Sequence, residues 1–132
     1  MVFQFGAALA AFLATSGGPV PSTPPPPPAT MQQLVPVIEP VALKQMMMSP
    51  ARFVLIDVRR PDEFTAGHIE GASLMPLDTL PASYARLPRD VRLVVYCRSG
   101  HRSAQAVSFL REHGYGRAVS LNGGYLAWTA QR

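Results

Sequence analysis

Short apolar runs alternate with helix-patterned stretches from residue 35 onward, and this alternation predicts the architecture. A strand over 35–38 leads to Pro40, which suits the first turn of a helix because the N–H it lacks would find no partner there; that helix runs to Met46. Phe53-Val54-Leu55-Ile56 is continuously apolar and ends in Asp57-Val58-Arg59, the pattern of a parallel strand covered on both faces. Pro61-Asp62-Glu63-Phe64 opens a second helix with two carboxylates at the positive end of its dipole. Residues 72–75 form a short strand before Pro76. Asp78 is placed to cap a helix reaching about Leu87, with Pro81 either interrupting it or sitting in its first turn. Residues 91–96 make the central strand, and 102–113 carry Ala104, Val107 and Leu110 at helical spacing, with Gly114 as the stop. A last strand over 118–121 and a last helix over 124–130 complete the order. Strands alternating with helices pair in parallel through right-handed crossovers, which gives an α/β three-layer domain whose sites form at the carboxyl ends of the strands.

The N-terminal third has a different pattern. Residues 2–14 are apolar except for Gln4, too short for a spanning helix of about 20 residues but within the length of a signal-peptide core. Cleavage after Ser16 would leave Ala14 and Ser16 at the recognition positions. No basic residue precedes the run, because the first Lys is Lys44. Residues 1–16 therefore read as a signal peptide or as an apolar tail or uncleaved anchor. The first places the protein in the periplasm or outside the cell, the second in the cytoplasm, with any membrane contact confined to this segment. Seven of the 14 prolines follow, including the unbroken run Pro24-Pro25-Pro26-Pro27-Pro28, so residues 17–33 read as an extended polyproline II linker. Residues 34–132 are the folded domain, a length that supports one core.

All 12 Lys and Arg and all 8 Asp and Glu lie from Glu39 onward, so the formal charge of +4 belongs to that domain. Eleven of the basic residues are arginine, and between Arg86 and Arg117 only Asp90 and Glu112 oppose them. Such a region attracts small anions or acidic partners. No nucleic-acid motif or basic run accompanies the charge, and a nucleic-acid partner is not expected. One Cys and three separated His residues lack ligand spacing, so neither a metal nor another cofactor is expected.

The single cysteine, Cys97, sits where the central strand breaks into Arg98-Ser99-Gly100-His101-Arg102-Ser103 before a helix. A strand feeding a loop into a helix aims unpaired N–H groups and the positive end of the dipole at one point, and Arg98 and Arg102 add charge; both effects favour a reactive thiolate. Gly100 can adopt positive φ and let the backbone bend around an anion. Arg98 and Arg102, through their planar forks, are candidates to hold the oxygens of an anionic donor. Ser103 either donates a hydrogen bond to the sulfur or caps the helix. His68 reads as a structural hydrogen bond in a turn. Arg59 and Glu63, four apart across a helix start, are expected to pair, with Asp57 at the same sheet edge, all three in support of the site. Tyr125, Leu126 and Trp128 are expected to pack the last helix, Met46, Met47 and Met48 to cover the core, and Gly123-Gly124 to form a tight strand-to-helix turn.

Asp57-Val58-Arg59, Glu63-Phe64, Gly67-His68-Ile69-Glu70-Gly71-Ala72, Pro76, the segment from Cys97 to Ser103, and Leu121-Asn122-Gly123-Gly124-Tyr125-Leu126-Ala127-Trp128, in this order and spacing, resemble a single-domain rhodanese. The resemblance implies a parallel five-stranded sheet flanked by helices and sulfurtransferase chemistry. It makes Cys97 the persulfide carrier, with Arg98, Ser99, Gly100, His101, Arg102 and Ser103 cradling the outer sulfur through backbone N–H groups. The donor would be a small anion such as thiosulfate, and the acceptor cyanide, a thiol or a protein. Two other readings stay open. One is a sulfur-carrier or protein-interaction module without strong turnover. The other is a cysteine phosphatase or arsenate reductase, disfavoured because four residues, not five, separate Cys97 from Arg102.

Overall fold

The computed structural model describes residues 24–28 and 34–131. The signal peptide or apolar tail expected over residues 1–16 and most of the expected linker lie outside them; Pro24, Pro25, Pro26, Pro27 and Pro28 are exposed and carry no regular secondary structure. Five strands, β1 (Val37–Ile38), β2 (Phe53–Asp57), β3 (Ser73–Leu74), β4 (Arg92–Tyr96) and β5 (Ala118–Leu121), form one sheet in the order β1-β5-β4-β2-β3. Every pairing is parallel, with Asp57 opposite Tyr96 and Val95 opposite Ser120. The helices are α1 (Pro40–Met47), α2 (Pro61–Ala66), α3 (Leu80–Ser83), α4 (His101–Glu112) and α5 (Gly124–Ala130). No helix among the described residues is long and apolar enough to cross a membrane.

Because successive side chains of a strand face opposite ways, β2 and β4 feed two cores. Ile56, Val58, Leu93, Val95 and Cys97 pack with Leu80 of α3 and with Ala106, Val107 and Leu110 of α4. Leu55, Val94 and Tyr96 pack on the other face with Leu43 of α1, and Met46, Met47, Tyr125 and Trp128 close over them. The result is the three-layer α/β domain that the alternation implied.

Three expectations need correction. The helix expected over 78–87 is three short pieces: a 3-10 turn (Leu77–Thr79), α3, and a second 3-10 turn (Tyr84–Arg86). Pro81 lies in the first turn of α3, where its missing N–H costs nothing, but that same lack prevents one continuous helix from running through it. Asp78 caps nothing; it lies inside the 3-10 turn, whose N-cap position is Pro76. Met48 and Leu126 are exposed: Met48 follows the end of α1, and Leu126 falls on the outer side of α5.

Candidate active site

The parity of β4 decides where the thiol points. Leu93 and Val95 face the α3/α4 layer, and Cys97, two residues on, continues that row just beyond the carboxyl end of the strand, where its residue is 1% exposed. Gly100 then turns the chain with φ 111 and is the N-cap residue of α4. Only glycine adopts that conformation without strain. Its N–H donates to Cys97 Sγ at 3.0 Å, so the sulfur lies in a tight turn at the positive end of a 12-residue helix. Ser103 Oγ lies 3.5 Å from Sγ, donates to the Gly100 carbonyl at 3.2 Å and shares a 2.8 Å hydrogen bond with Ser120 Oγ. Neither reading of Ser103 holds as expected: its hydroxyl neighbours the sulfur but donates to the Gly100 carbonyl and accepts from the thiol, and the cap position belongs to Gly100, with no side-chain cap bond.

A second helix start holds the same loop from behind. Tyr125 N–H donates to the Cys97 carbonyl at 2.7 Å, and Leu126 N–H to the Arg98 carbonyl at 3.0 Å. These orphan donors of the first turn of α5 are thus satisfied by the loop itself. The Gly123-Gly124 doublet does make the tight turn into α5, with φ of 73 and 62. Sequence gave no hint that the turn brings α5 onto the Cys97 backbone, because that contact depends on β4 and β5 being neighbours.

Two arginine–carboxylate pairs flank the loop, and neither is the expected Arg59–Glu63 pair. Arg59 folds back on Asp57, with Nη2 donating to Oδ2 at 2.7 Å and Nε to Oδ1 at 3.0 Å, and with its own backbone N–H on Oδ1 at 2.9 Å. Nη2 also reaches the Gly67 carbonyl at 2.7 Å. The guanidinium lies over the rings of Tyr125 and Tyr96, 4.4 and 5.5 Å from their centroids. Burial opposes this charge, but the hydrogen bond and charge of Asp57, with weaker contributions from Tyr96 and Glu63, together hold the Arg59 pKa above its ordinary value. Burial is also the main cause that raises the pKa of Tyr96, whose hydroxyl accepts the Ile69 N–H. Glu63 instead receives the fork of Arg102, Nη1 to Oε1 at 2.7 Å and Nη2 to Oε2 at 3.0 Å. That fork is the main reason the Glu63 carboxyl is pulled down to about 2. Arg102 is raised in turn, first by Glu63 and, among weaker causes, by the charge of Cys97.

Arg98, Ser99 and His101 are exposed around the loop. Arg98 makes no ion pair among the described residues and lines a cleft of about 290 Å3 with Glu63, Gly67 and Tyr125. A larger cleft of about 570 Å3 opens on the other side of the ion pair, walled by Arg102, Val58, Leu77 and Pro76. His68 is where a structural role puts it, with Nδ1 2.9 Å from the Phe64 carbonyl and its ring stacked on Phe64. Among the described residues no cluster of side chains could hold a metal ion.

Residues 39–131 match the family described as Rhodanese-like domain. The chain belongs to that family. A protein named Sulfurtransferase from Allochromatium vinosum is 38% identical over 96 residues, which cover 73% of this chain and 90% of the relative. A probable adenylyltransferase/sulfurtransferase MoeZ of Mycobacterium tuberculosis is 40% identical over 96 residues, or 71% of this chain; the match spans only 24% of that longer protein. Among solved structures, a human single-domain sulfurtransferase, TSTD1, superposes with a TM-score of 0.66 at 29% identity, covering 74% of this chain and 97% of its own. In rhodanese terms, the loop between β4 and α4 lies within the matched residues, and in it the Gly100 N–H meets the Cys97 sulfur.

Proposed function

We propose that this rhodanese-like chain is a sulfurtransferase that carries sulfane sulfur as a Cys97 persulfide and accepts it from thiosulfate. The observation that carries the reading is the sulfur of Cys97 held by the Gly100 N–H at the start of α4, where a hydrogen-bond donor and the positive end of the helix dipole meet the nucleophile. The thiolate attacks the outer sulfur of thiosulfate; a new S–S bond forms, the S–S bond of thiosulfate breaks, and sulfite leaves with the electron pair. Cyanide, a thiol or a protein nucleophile then attacks the outer sulfur of the persulfide, and the Cys97 thiolate is the leaving group. Neither step needs a base once the thiol is ionised, so His101 has no proton to move. Arg98, exposed and without an ion pair, is the more available cation for the departing sulfite; Arg102 is occupied by Glu63 and contributes a fixed charge.

Intact-mass measurement after incubation with thiosulfate tests the reading. Wild type gains about 32 Da, one sulfur atom, and Cys97→Ser gains nothing. No adduct on the wild type, from any sulfane donor, favours a docking module; turnover of an aryl phosphate would favour the phosphatase reading.

A further inference from the structure

We propose that Gly124 is a positioning residue for the persulfide loop: it lets α5 approach close enough to clamp the Cys97 and Arg98 carbonyls away from the sulfur. The inference rests on the reading that Cys97 is the sulfur carrier. A Cβ built at Gly124 would lie 2.5 Å from the Cys97 carbonyl oxygen and 2.6 Å from both the carbonyl carbon and the oxygen of Arg98, all backbone atoms that cannot swing aside. The two hydrogen bonds that follow, from the N–H groups of Tyr125 and Leu126, exist because this gap is left open.

The consequence for the sulfur follows from peptide geometry. In a trans peptide the N–H points opposite to the C=O. Binding the Cys97 and Arg98 carbonyls to α5 therefore turns the N–H groups of Arg98 and Ser99 away from α5. Tyr125 and Trp128 of α5 pack with the Tyr96 face of the sheet, whereas Cys97 belongs to the opposite face. Away from α5 is thus towards the side that holds Sγ. The loop carries carbonyl oxygens on one side and N–H groups on the other, and α5 selects which side meets the anion. With a side chain at residue 124, the loop would have to shift or rotate these peptides, and a carbonyl dipole brought towards Sγ would raise the energy of the thiolate and of the persulfide anion.

The test compares Gly124→Ala with Gly71→Ala. Gly71 also has positive φ, 86, but nothing lies within 4 Å of its would-be Cβ, so its substitution imposes backbone strain without pushing on the Cys97 loop. For each protein the rate of Cys97 alkylation by iodoacetamide is measured against pH, with no sulfur donor present, alongside urea unfolding. Gly124→Ala should raise the midpoint of the alkylation profile by about one pH unit, a loss of about tenfold in rate below both midpoints; Gly71→Ala should lower the urea midpoint and leave the alkylation midpoint where it is. Equal alkylation profiles for Gly124→Ala and wild type, or equal displacement by both substitutions, overturns the proposal. If Gly124→Ala does not fold, Leu126→Pro decides: it removes the donor to Arg98 and loosens the helical conformation of Tyr125, in the first helical turn and at an exposed side chain, and the same upward displacement is expected. Sulfur loading of the wild type is scored separately, so failure to load strikes the functional reading, and an unmoved alkylation profile strikes this one.

Discussion

The two arginine–carboxylate pairs beside the Cys97 loop use the same chemical groups in opposite ways. Asp57 and Arg59 are two residues apart and 0% and 4% exposed; Glu63 and Arg102 are 39 apart and 16% and 33% exposed. The first pair is further held by the Arg59 backbone N–H, the Gly67 carbonyl and two aromatic faces. Such a pair holds β2 to the turn after α2, and its value lies mostly in what would be left behind if one partner were lost. The second pair stands in partial solvent between the two clefts, where its net contribution to stability is small and its effect on the position of Arg102 is large. Burial, then, separates a charge pair that organises the fold from one that organises the site.

The largest test of this contrast is Arg59→Met. It strands the Asp57 carboxylate in the interior and should cost about 3–5 kcal/mol in urea unfolding; a loss below about 1 kcal/mol would put both pairs in the weak, solvated class. Glu63→Gln comes next. It should cost no more than about 1 kcal/mol in stability yet reduce thiosulfate turnover by about tenfold, because Arg102 loses the fork that fixes it beside the loop. A variant as unstable as Arg59→Met, or one with unaltered turnover, would erase the distinction. The smallest effect is in pH. The Glu63 carboxyl lies at about 2 in the folded chain against an ordinary 4.5, so it binds its proton more weakly when folded. Its contribution to stability is complete above 4.5 and is lost as pH falls through that value towards 2. The difference in urea midpoint between wild type and Glu63→Gln should be constant above about 4.5 and shrink below it; a difference that grows on acidification would contradict the assignment.

How far the sequence carried can be seen in particular residues. The β2 run Phe53-Val54-Leu55-Ile56, ending at Asp57, and the start of α1 at Pro40 were readable because an apolar run or a proline constrains the backbone locally. Gly100 at a left-handed position after Cys97 was readable for the same reason. The Arg59–Glu63 pairing failed because helical spacing of four applies only inside a helix, and Arg59 precedes α2, whose first residue is Pro61. In the bend after β2, Arg59 met the carboxylate two residues back, Asp57. Glu63 was left for Arg102, which no spacing rule could connect to it. Asp78 failed as a cap because Pro81 forces the helix to restart at Leu80.

From the chain alone came the alternation of strands and helices, the cysteine at a strand end and the family that its motifs resemble; these are local, since each depends on residues a few places apart. The tertiary structure decided what meets across distance: Arg102 with Glu63, Ser103 with Ser120, and the N–H groups of Tyr125 and Leu126 with the Cys97 and Arg98 carbonyls. The strand order places the carboxyl ends of β5 and β2 on either side of β4, so the segments that follow them converge on one loop. Backbone propensity acts over a turn or two, whereas a hydrogen bond needs its atoms within about 3 Å, and only the assembled sheet brings residues 17 to 39 positions apart that close.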